Sequence, residues 1–241
     1  MTQPIYPFWT HDALSKALND LIESHSRDAV QDHGEFRLVV TGGTTPPLII
    51  QQLQHNTAID FSKWHIFWAD ERCVPWDHPD SNYGQVKKAM LDHLPLQPHQ
   101  IHAIHPDLAR PEKAEQAAEE YEKQLKQFFK NSAPCFDLVL VSMGPDGHFC
   151  SLFPGHPLLE EHNRWVAAIT DSPKPPPERI TLTYKLLNQA KQIVIIAVGK
   201  PKAYMVSKVL SSDYADGWPT QRLEAPTCWY IDADAARFLN Q

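Results

Sequence analysis

The stretch from Asp137 to Gly155, DLVLVSMGPDGHFCSLFPG, limits the possible folds of this chain more than any other part of its sequence. Its first part, Asp137 to Ser142, is a short run rich in Leu and Val that ends at glycine and proline, a pattern typical of a buried strand. The Gly-Pro-Asp-Gly turn puts Asp146 and His148 just beyond the carboxyl end of that strand. In an open parallel α/β sheet, ligands bind at this end of the strands. We therefore expect His148 to be the reacting group of a site.

Composition limits the class of protein. The 241 residues, 42% of them hydrophobic, are enough for one large domain with a full core, and we expect a single domain over residues 1–241. A formal net charge of −7 argues against a nucleic-acid or acidic-membrane partner, although it does not forbid a local basic pocket for an anion. The first residues lack the basic start and apolar core of a signal peptide, and no later run is long enough to span a bilayer. We expect a soluble, cytoplasmic protein.

The cysteines and histidines predict neither a disulfide framework nor a metal site. The four cysteines are Cys73, Cys135, Cys150 and Cys228. They fall singly, without a C-x-x-C pair, which favours buried free thiols in a reducing compartment. His102 with His105, or His148 with His156, could be imagined as metal ligands, but no carboxylate or thiolate joins either pair at a zinc-like spacing. We expect no metal and no cofactor.

Strands and helices alternate along the chain. The predicted strands are Phe36–Thr41, Trp64–Ala69, Asp137–Ser142, Trp165–Thr170, Gln192–Val198 and Cys228–Ile231. The predicted helices are residues 12–31, Leu48–Leu53, Tyr83–Leu94, Pro111–Lys130, a helix that RITLT leads into and that runs through Ala190, one that starts near Ala203, and a short terminal helix capped by Asp232. This alternation predicts an α/β fold: a three-layer α/β/α, Rossmann-like domain whose mainly parallel sheet carries helices on both faces.

A glycine turn opens the second predicted helix. Gly42, Gly43, Thr44 and Thr45 follow a strand, and Pro46 suits the first helical turn because no N–H is needed there. Free N–H groups at a helix N-terminus, with the helix dipole behind them, form a site for an anion, and the two threonines can add hydroxyl donors. An ordinary Thr-capped helix explains the same residues equally well.

Charged segments fall at the same edge of the predicted sheet. Asp70, Glu71 and Arg72 directly follow a buried strand, which is unusual unless they serve a site or an ion-pair network; the alternative is a solvated loop. Lys200 and Lys202 open another helix after Gly199, and a lysine there makes better sense if an anion lies between it and the helix. If the strands are parallel, GGTTP, DER, GPDGH and GKPK all meet along one edge.

The Pro-rich segment DSPKPPPE, from Asp171 to Glu178, is unsuited to helix or sheet. We expect it to be an ordered or gating loop rather than a domain linker.

Five motifs in order resemble those of the 6-phosphogluconolactonase family: TGGTTP, ADERCVP with SNYG shortly after, SMGPDGHFCSLFPG, RITLT and GKPKA. That family shares a superfamily with the glucosamine-6-phosphate deaminases, so the resemblance implies a deaminase-like fold. The family usually has serines where this chain has Thr41 and Thr44, and often a small residue at Phe149-Cys150. Deaminases typically continue the histidine motif toward A-F-N-E-P-G and carry D-E-Y at the second motif. This chain has SLFPG and DER there, which favours the lactonase.

The resemblance implies hydrolysis of 6-phospho-D-glucono-1,5-lactone to 6-phosphogluconate in the oxidative pentose phosphate pathway. A lactone is an activated ester, so one base that activates water is enough, and imidazole suits that role at cellular pH. His148 would take the proton of the water that attacks C1, and Asp146 would orient the loop or the imidazole ring. Arg72, or the N–H groups of the turn from Gly144 to Gly147, would stabilise the developing oxyanion.

The resemblance also assigns the phosphate. The related deaminases use an Arg and a Lys at matching motif positions, which implies Arg179 and Lys202 together with the turn from Gly43 to Thr45. The predicted substrate-binding set is Gly42, Gly43, Thr44, Thr45, Asp70, Gly144, Gly147, Arg179 and Lys202. The expected partner is a small sugar-phosphate lactone, and the expected assembly is a monomer or a weak homodimer.

Other functions stay open on the sequence. The nearest is a glucosamine-6-phosphate deaminase or isomerase. A non-catalytic sugar-phosphate sensor would keep the phosphate ligands but would have no use for His148 and Asp146. A hydrolase that uses Cys150 or Ser151 is disfavoured because there is no G-x-S-x-G elbow and because sequence neighbours on a loop rarely form a catalytic pair. A dehydrogenase is disfavoured because GGTTPP lacks the G-x-G-x-x-G turn.

Overall fold

The computed structural model describes residues 3–130, 133–211 and 217–239. Its strands are β1 (Ile5–Phe8), β2 (Phe36–Val40), β3 (Trp64–Trp68), β4 (Asp70–Arg72), β5 (Ile101–His102), β6 (Leu138–Ser142), β7 (Val166–Ile169), β8 (Arg179–Leu182), β9 (Ile193–Ala197) and β10 (Thr227–Asp232). Its α-helices are α1 (His11–His33), α2 (Thr45–Leu53), α3 (Asn82–Ala89), α4 (Ala114–Phe129), α5 (Tyr184–Leu187), α6 (Ala203–Leu210) and α7 (Ala233–Ala236).

Seven strands form one parallel sheet in the order β1-β10-β9-β6-β2-β3-β5. Because all seven run in the same direction, their carboxyl ends share one edge. β6 lies at the centre of the order, between β9 and β2, so the turn that carries His148 leaves the middle of that edge. The predicted mainly parallel α/β fold is confirmed.

Each central strand is buried on both faces. Along β2, Leu38 and Val40 point into one hydrophobic core while Val39 points into the other, and the other central strands alternate in the same way. The first core contains residues of α1, α2 and α3, and the second contains residues of α4, α6 and α7. The helices therefore cover both faces of the sheet, as the long apolar runs predicted.

A second, smaller sheet corrects three predictions. β4, β8 and β7 form an antiparallel sheet, in which Asp70 pairs with Thr181 and Arg72 pairs with Arg179. The predicted strand around 165–170 is therefore outside the parallel sheet, DER is a strand rather than a loop, and RITLT is a strand rather than the approach to a long helix. Only α5 follows it. The β-branched residues of RITLT fit a strand. Nothing in the sequence indicated its partner, because β4 has only three residues and lies far from RITLT in the chain.

The edges and the helix ends also differ from the prediction. β1 and β5 were not predicted; β5 has two residues, and β1 contains Pro7, whose ring removes a backbone donor. α2 begins at Thr45 rather than at Leu48, because its prolines fall in the first turn, where they are tolerated. α3 ends at Ala89, earlier than predicted, and a 3₁₀ turn follows at Leu91–His93. Across the three described ranges, no helix combines the length and apolar character needed to cross a bilayer.

Candidate active site

Asp146 and His148 form a hydrogen-bonded pair in the turn after β6. Nδ1 of His148 lies 2.5 Å from Oδ1 of Asp146, and the imidazole side chain is 15% exposed. Burial opposes ionisation of the Asp146 carboxyl, but the hydrogen bonds and charges of His148 and Lys174 outweigh it and hold its pKa well below the usual range. An ionised carboxylate only accepts, so Nδ1 carries the proton and, in the neutral ring, Nε2 carries the lone pair.

Two glycines shape this turn. A Cβ on Gly144 would lie 2.2 Å from Cε1 of His148, and Gly147 has a φ of +87°, with ring atoms of Trp218 about 2.7 Å from where a Cβ would sit. The Gly144 N–H donates to the His148 carbonyl at 2.7 Å, and the Gly147 N–H donates to the Gly144 carbonyl at 3.0 Å. The N–H groups of Gly144 and Gly147, two of those that the sequence offered to an oxyanion, are therefore used inside the turn.

The residues after His148 anchor the turn to the core. Phe149 and Leu152 are fully buried and belong to the core beneath the second sheet. The ring of Phe153 stacks on the His148 ring with 4.6 Å between centroids. The Arg179 guanidinium lies 5.5 Å from the centre of the Phe153 ring. Packing therefore restricts rotation of the imidazole.

Asp70 is the centre of a buried polar network. Its carboxylate accepts from the Thr41 hydroxyl (3.0 Å), the Asn82 amide (3.1 Å) and the Ser151 hydroxyl (2.8 Å), and Asp70 is 4% exposed. Thr41 directly follows β2, Asn82 is the first residue of α3, and Ser151 lies in the loop after His148. Asp70 thus ties the loop after His148 to the end of β2 and to the start of α3.

Glu71 and Arg72 lie on opposite faces of β4. The buried Glu71 carboxylate accepts from the backbone N–H groups of Asn82 and Tyr83 and so caps α3; burial raises its pKa to about 7 although these donors oppose the rise. Arg72 donates through Nη1 to the Asp80 carbonyl at 2.8 Å, while its buried Nε has no hydrogen-bond partner among the described residues. Arg72 and Arg179 are directly paired across β4 and β8, so their side chains leave the same face of the small sheet.

The glycine turn before α2 is packed against α3. A Cβ on Gly42 would lie 2.3 Å from Oδ1 of Asn82, and the N–H of Gly43, whose φ is +77°, donates to Oε1 of Gln85 at 2.7 Å. Thr44 is exposed at the N-cap position without a side-chain capping bond, and Oγ1 of Thr45 is buried without a described partner. The Thr cap, one of the two interpretations that the sequence left open, is thus not formed, and the hydroxyl groups of Thr44 and Thr45 have no described hydrogen-bond partner.

Lys202 reaches the end of β6. Its ammonium group donates to the Ser142 hydroxyl at 2.6 Å, and burial lowers its pKa to about 8 against the opposing charge of Asp232. Because β9 and β2 flank β6 at a strand spacing of about 4.8 Å, the carboxyl ends of β9 and β2, which lead to Lys202 and to α2, are about 10 Å apart.

Arg179 is a buried cation, 2% exposed. Its Nε donates to the Pro176 carbonyl (2.9 Å), and Nη2 donates to the carbonyls of Lys174 (2.9 Å) and Pro175 (3.2 Å), so most of the guanidinium holds the Pro-rich loop. Nη1 makes a weaker contact of 3.5 Å with the Ser151 hydroxyl. Burial lowers the pKa of Arg179, and the charge of Asp70 opposes this.

The neighbours of His148 in sequence do not form a nucleophile with it. Cys150 is buried with a φ of +51°, and burial raises the pKa of its thiol far above the usual value. The Ser151 hydroxyl donates to Asp70 rather than to an imidazole. In the described ranges, no group of three or more His, Cys, Asp or Glu residues is arranged to hold a metal ion.

Several residues near the site were not singled out from the sequence. They are Ser142, Phe153, Lys174, Asn82, Gln85 and Trp218. SNYG and the lone lysine of the Pro-rich loop were visible signals, but only the fold shows what Asn82 and Lys174 contact.

Comparison with known proteins places this arrangement in a family. A family model described as glucosamine-6-phosphate isomerases/6-phosphogluconolactonase matches residues 10–229. The chain belongs to this family. Within the glucosamine-6-phosphate isomerase/6-phosphogluconolactonase family, a probable 6-phosphogluconolactonase of Schizosaccharomyces pombe is 39% identical over 98% of this chain and 96% of that protein. The 6-phosphogluconolactonase of Rattus norvegicus is 38% identical over 97% of this chain and 92% of its own length.

A solved structure of the same family agrees in fold. The crystal structure of a 6-phosphogluconolactonase from Shewanella baltica has a TM-score of 0.80 and 29% identity, and covers 96% of this chain and 98% of that chain. The family fold is therefore shared over nearly the full length of both chains.

Proposed function

We propose that this protein hydrolyses 6-phospho-D-glucono-1,5-lactone to 6-phosphogluconate, the lactonase step of the oxidative pentose phosphate pathway. The observation that carries the proposal is the Asp146–His148 pair, which leaves Nε2 free at the carboxyl edge of the sheet. Membership of a family that includes 6-phosphogluconolactonases supports it. The absence of any nucleophile paired with His148 in the described ranges agrees with direct attack by water on an activated ester.

His148 acts as the general base in this proposal. A water molecule attacks C1 while Nε2 of His148 takes its proton, and the carbonyl becomes a tetrahedral oxyanion. The oxyanion collapses, the bond between C1 and the ring oxygen breaks, and the imidazolium returns the proton to that oxygen, which becomes the C5 hydroxyl. Asp146 holds the ring in the required tautomer and stabilises the imidazolium.

We assign the oxyanion to Arg72. Its Nε is buried and without a described acceptor, whereas the Gly144 and Gly147 N–H groups donate within their own turn. A preorganised cation aimed at developing charge stabilises the transition state more than the ground state.

We assign the phosphate to Lys202, the N-terminus of α2 and Nη1 of Arg179. Lys202 supplies a point charge, Thr44 and Thr45 supply N–H and hydroxyl donors, and Nη1 is the nitrogen of Arg179 with the weakest internal bond. Anchoring this remote group orients C1 against His148. Four residues that the sequence analysis grouped with the substrate ligands fix the loops in this proposal instead. They are Gly42, Asp70, Gly144 and Gly147.

The first test measures the reaction itself. Freshly made lactone is assayed by coupling to 6-phosphogluconate dehydrogenase, with the spontaneous background subtracted, and glucosamine-6-phosphate is incubated in parallel while ammonia is measured. We expect lactone turnover without ammonia, and a loss of roughly 10²–10⁴-fold in His148→Ala. Ammonia release without lactone turnover would assign the protein to the deaminase branch, and a fully active His148→Ala would remove the base assignment.

The second test concerns the phosphate. Lys202→Ala is expected to reduce kcat/KM by about tenfold or more on the phosphorylated lactone and to have little effect on unphosphorylated gluconolactone, because the lost contact involves only the phosphate. Lys200→Ala is the matched control, since Lys200 is an exposed lysine of the same turn. Equal losses on both substrates would contradict the assignment.

A further inference from the structure

Lys174, in the Pro-rich loop, contacts the same carboxylate oxygen as His148. Its ammonium group lies 3.2 Å from Oδ1 of Asp146, and Nδ1 of His148 lies 2.5 Å from that oxygen. Among the described residues, Asp146 is the carboxylate within ion-pair distance of Lys174. Two donors from different loops therefore converge on one oxygen and fix the direction in which the carboxylate points.

The backbone of Lys174 is held by hydrogen bonds from the buried side chains of Arg179 and Ser172. Its carbonyl accepts from Nη2 of Arg179 at 2.9 Å and from the Ser172 hydroxyl at 2.8 Å, and the Ser172 N–H donates to the Pro177 carbonyl at 3.1 Å. Arg179 also lies against Phe153, which stacks on His148. The loop, the guanidinium, the phenyl ring and the imidazole thus form one continuous packed unit.

An ordinary surface ion pair does not explain this arrangement. Such pairs contribute little, mainly because two mobile side chains must be ordered to form them. Here the backbone of the lysine is already ordered, and its partner is the carboxylate that orients the imidazole. The side chains of Lys174 and Asp146 are 36% and 35% exposed, so the pair lies at the solvent-facing side of the site.

We propose that Lys174 is a positioning residue of the lactonase reaction, which holds Asp146 against His148 and makes the Pro-rich loop a wall of the active site. The inference rests on the proposed function. Lys174 also balances the charge of Asp146. The charge of Arg179, from β8, also interacts with Asp146.

The test compares Lys174→Met, Lys174→Arg and the control Lys16→Met, which removes an exposed ion pair with Asp20 on α1. For Lys174→Met we expect kcat to fall by about tenfold or more with KM changed less than about threefold, because the base is misoriented while the phosphate site is intact. Lys174→Arg should recover most of the rate, and Lys16→Met should match the wild type.

A second readout does not depend on turnover. The Nδ1 proton of His148 should give a downfield proton NMR signal, assigned by its loss in Asp146→Ala, and this signal should shift or broaden in Lys174→Met but not in Lys16→Met. For Lys174→Met, a rise in KM at constant kcat, or an unchanged rate and an unchanged signal, would overturn the inference. The proposed function would still hold in that case if the wild type hydrolyses the lactone. If the wild type does not hydrolyse the lactone, the proposed function is wrong. The NMR signal in Lys174→Met then decides by itself whether Lys174 positions Asp146.

Discussion

At the scale of single residues, the chemistry depends on which ring nitrogen of His148 carries the proton. The ionised Asp146 carboxylate accepts from Nδ1 and thereby leaves the lone pair on Nε2. A side chain at position 146 that can donate would reverse this preference, since the imidazole would then accept at Nδ1 and carry its proton on Nε2.

Asp146→Asn should therefore be more damaging than Asp146→Ala. The Asn amide can rotate to donate to Nδ1 and select the wrong tautomer, whereas Ala leaves both tautomers accessible, so we expect roughly 10²-fold or greater loss of kcat for Asn and a smaller loss for Ala. Steady-state kinetics with the coupled lactone assay measures both, and thermal unfolding verifies that each variant is folded. Equal losses would mean that Asp146 acts through charge alone.

At the scale of elements, the turn after β6 works because glycine occupies a position that other residues do not fit. Gly147 has a φ of +87° and lies directly against Trp218 and Met205, the latter on α6. The turn is thus held by packing from the opposite loop as well as by its own hydrogen bonds. This contact joins the position of His148 to the helix that follows Lys202.

Gly147→Ala should destabilise the fold more than Gly155→Ala. Both glycines have positive φ, so each variant should lose about 1 kcal/mol of folding stability to backbone strain. The Cβ of an alanine at 147 would in addition collide with Trp218, whereas one at 155 would have no atom within 4 Å. Urea unfolding gives the difference, and kcat should fall only for Gly147→Ala because its turn carries His148. Equal midpoints and equal rates for the two variants would contradict this account of the turn.

At the scale of the whole molecule, the parallel sheet carries a neutral histidine pair near one edge. Nδ1 of His65 lies 3.0 Å from Nε2 of His102, and His102 stacks on Phe67 with 4.5 Å between centroids. Burial, followed by the charges of His65 and His99, lowers the pKa of His102 to about 4. Burial also lowers the pKa of His65, while Glu35 opposes this.

The fold should therefore lose stability as the pH falls from about 6.5 to about 4. In that window the unfolded chain binds a proton at His102 that the folded chain excludes, so the free energy of unfolding decreases with falling pH, and above about 6.5 the group contributes nothing to the slope. His102→Gln should flatten this dependence by on the order of 2 kcal/mol across the window, after allowance for solvent screening. Urea titrations between pH 7 and pH 4 measure it, with His162→Gln, whose side chain is 74% exposed, as the control. Parallel curves for wild type and His102→Gln would contradict the prediction.

Much of the architecture could be predicted because the signals are local. The apolar runs that became β2, β3, β6, β9 and β10 are long enough to be buried on both faces, and their glycine turns mark the carboxyl ends. β1 and β5 were missed because edge strands are short and need little apolar pattern. RITLT was misassigned because an antiparallel strand is defined by its partner, and β4 lies about 110 residues away in the chain.

The sequence alone determined the parallel α/β fold, the edge at which a site could form and the Asp146–His148 turn within it, since each follows from apolar periodicity, glycine positions and strand direction. Only the tertiary structure decided that Asp70 is enclosed by hydroxyl and amide donors, that Arg179 holds the Pro-rich loop, and that Lys174 reaches Asp146. The reason is physical: a long polar side chain can reach many partners, and which of them it meets depends on how the second sheet packs on the first.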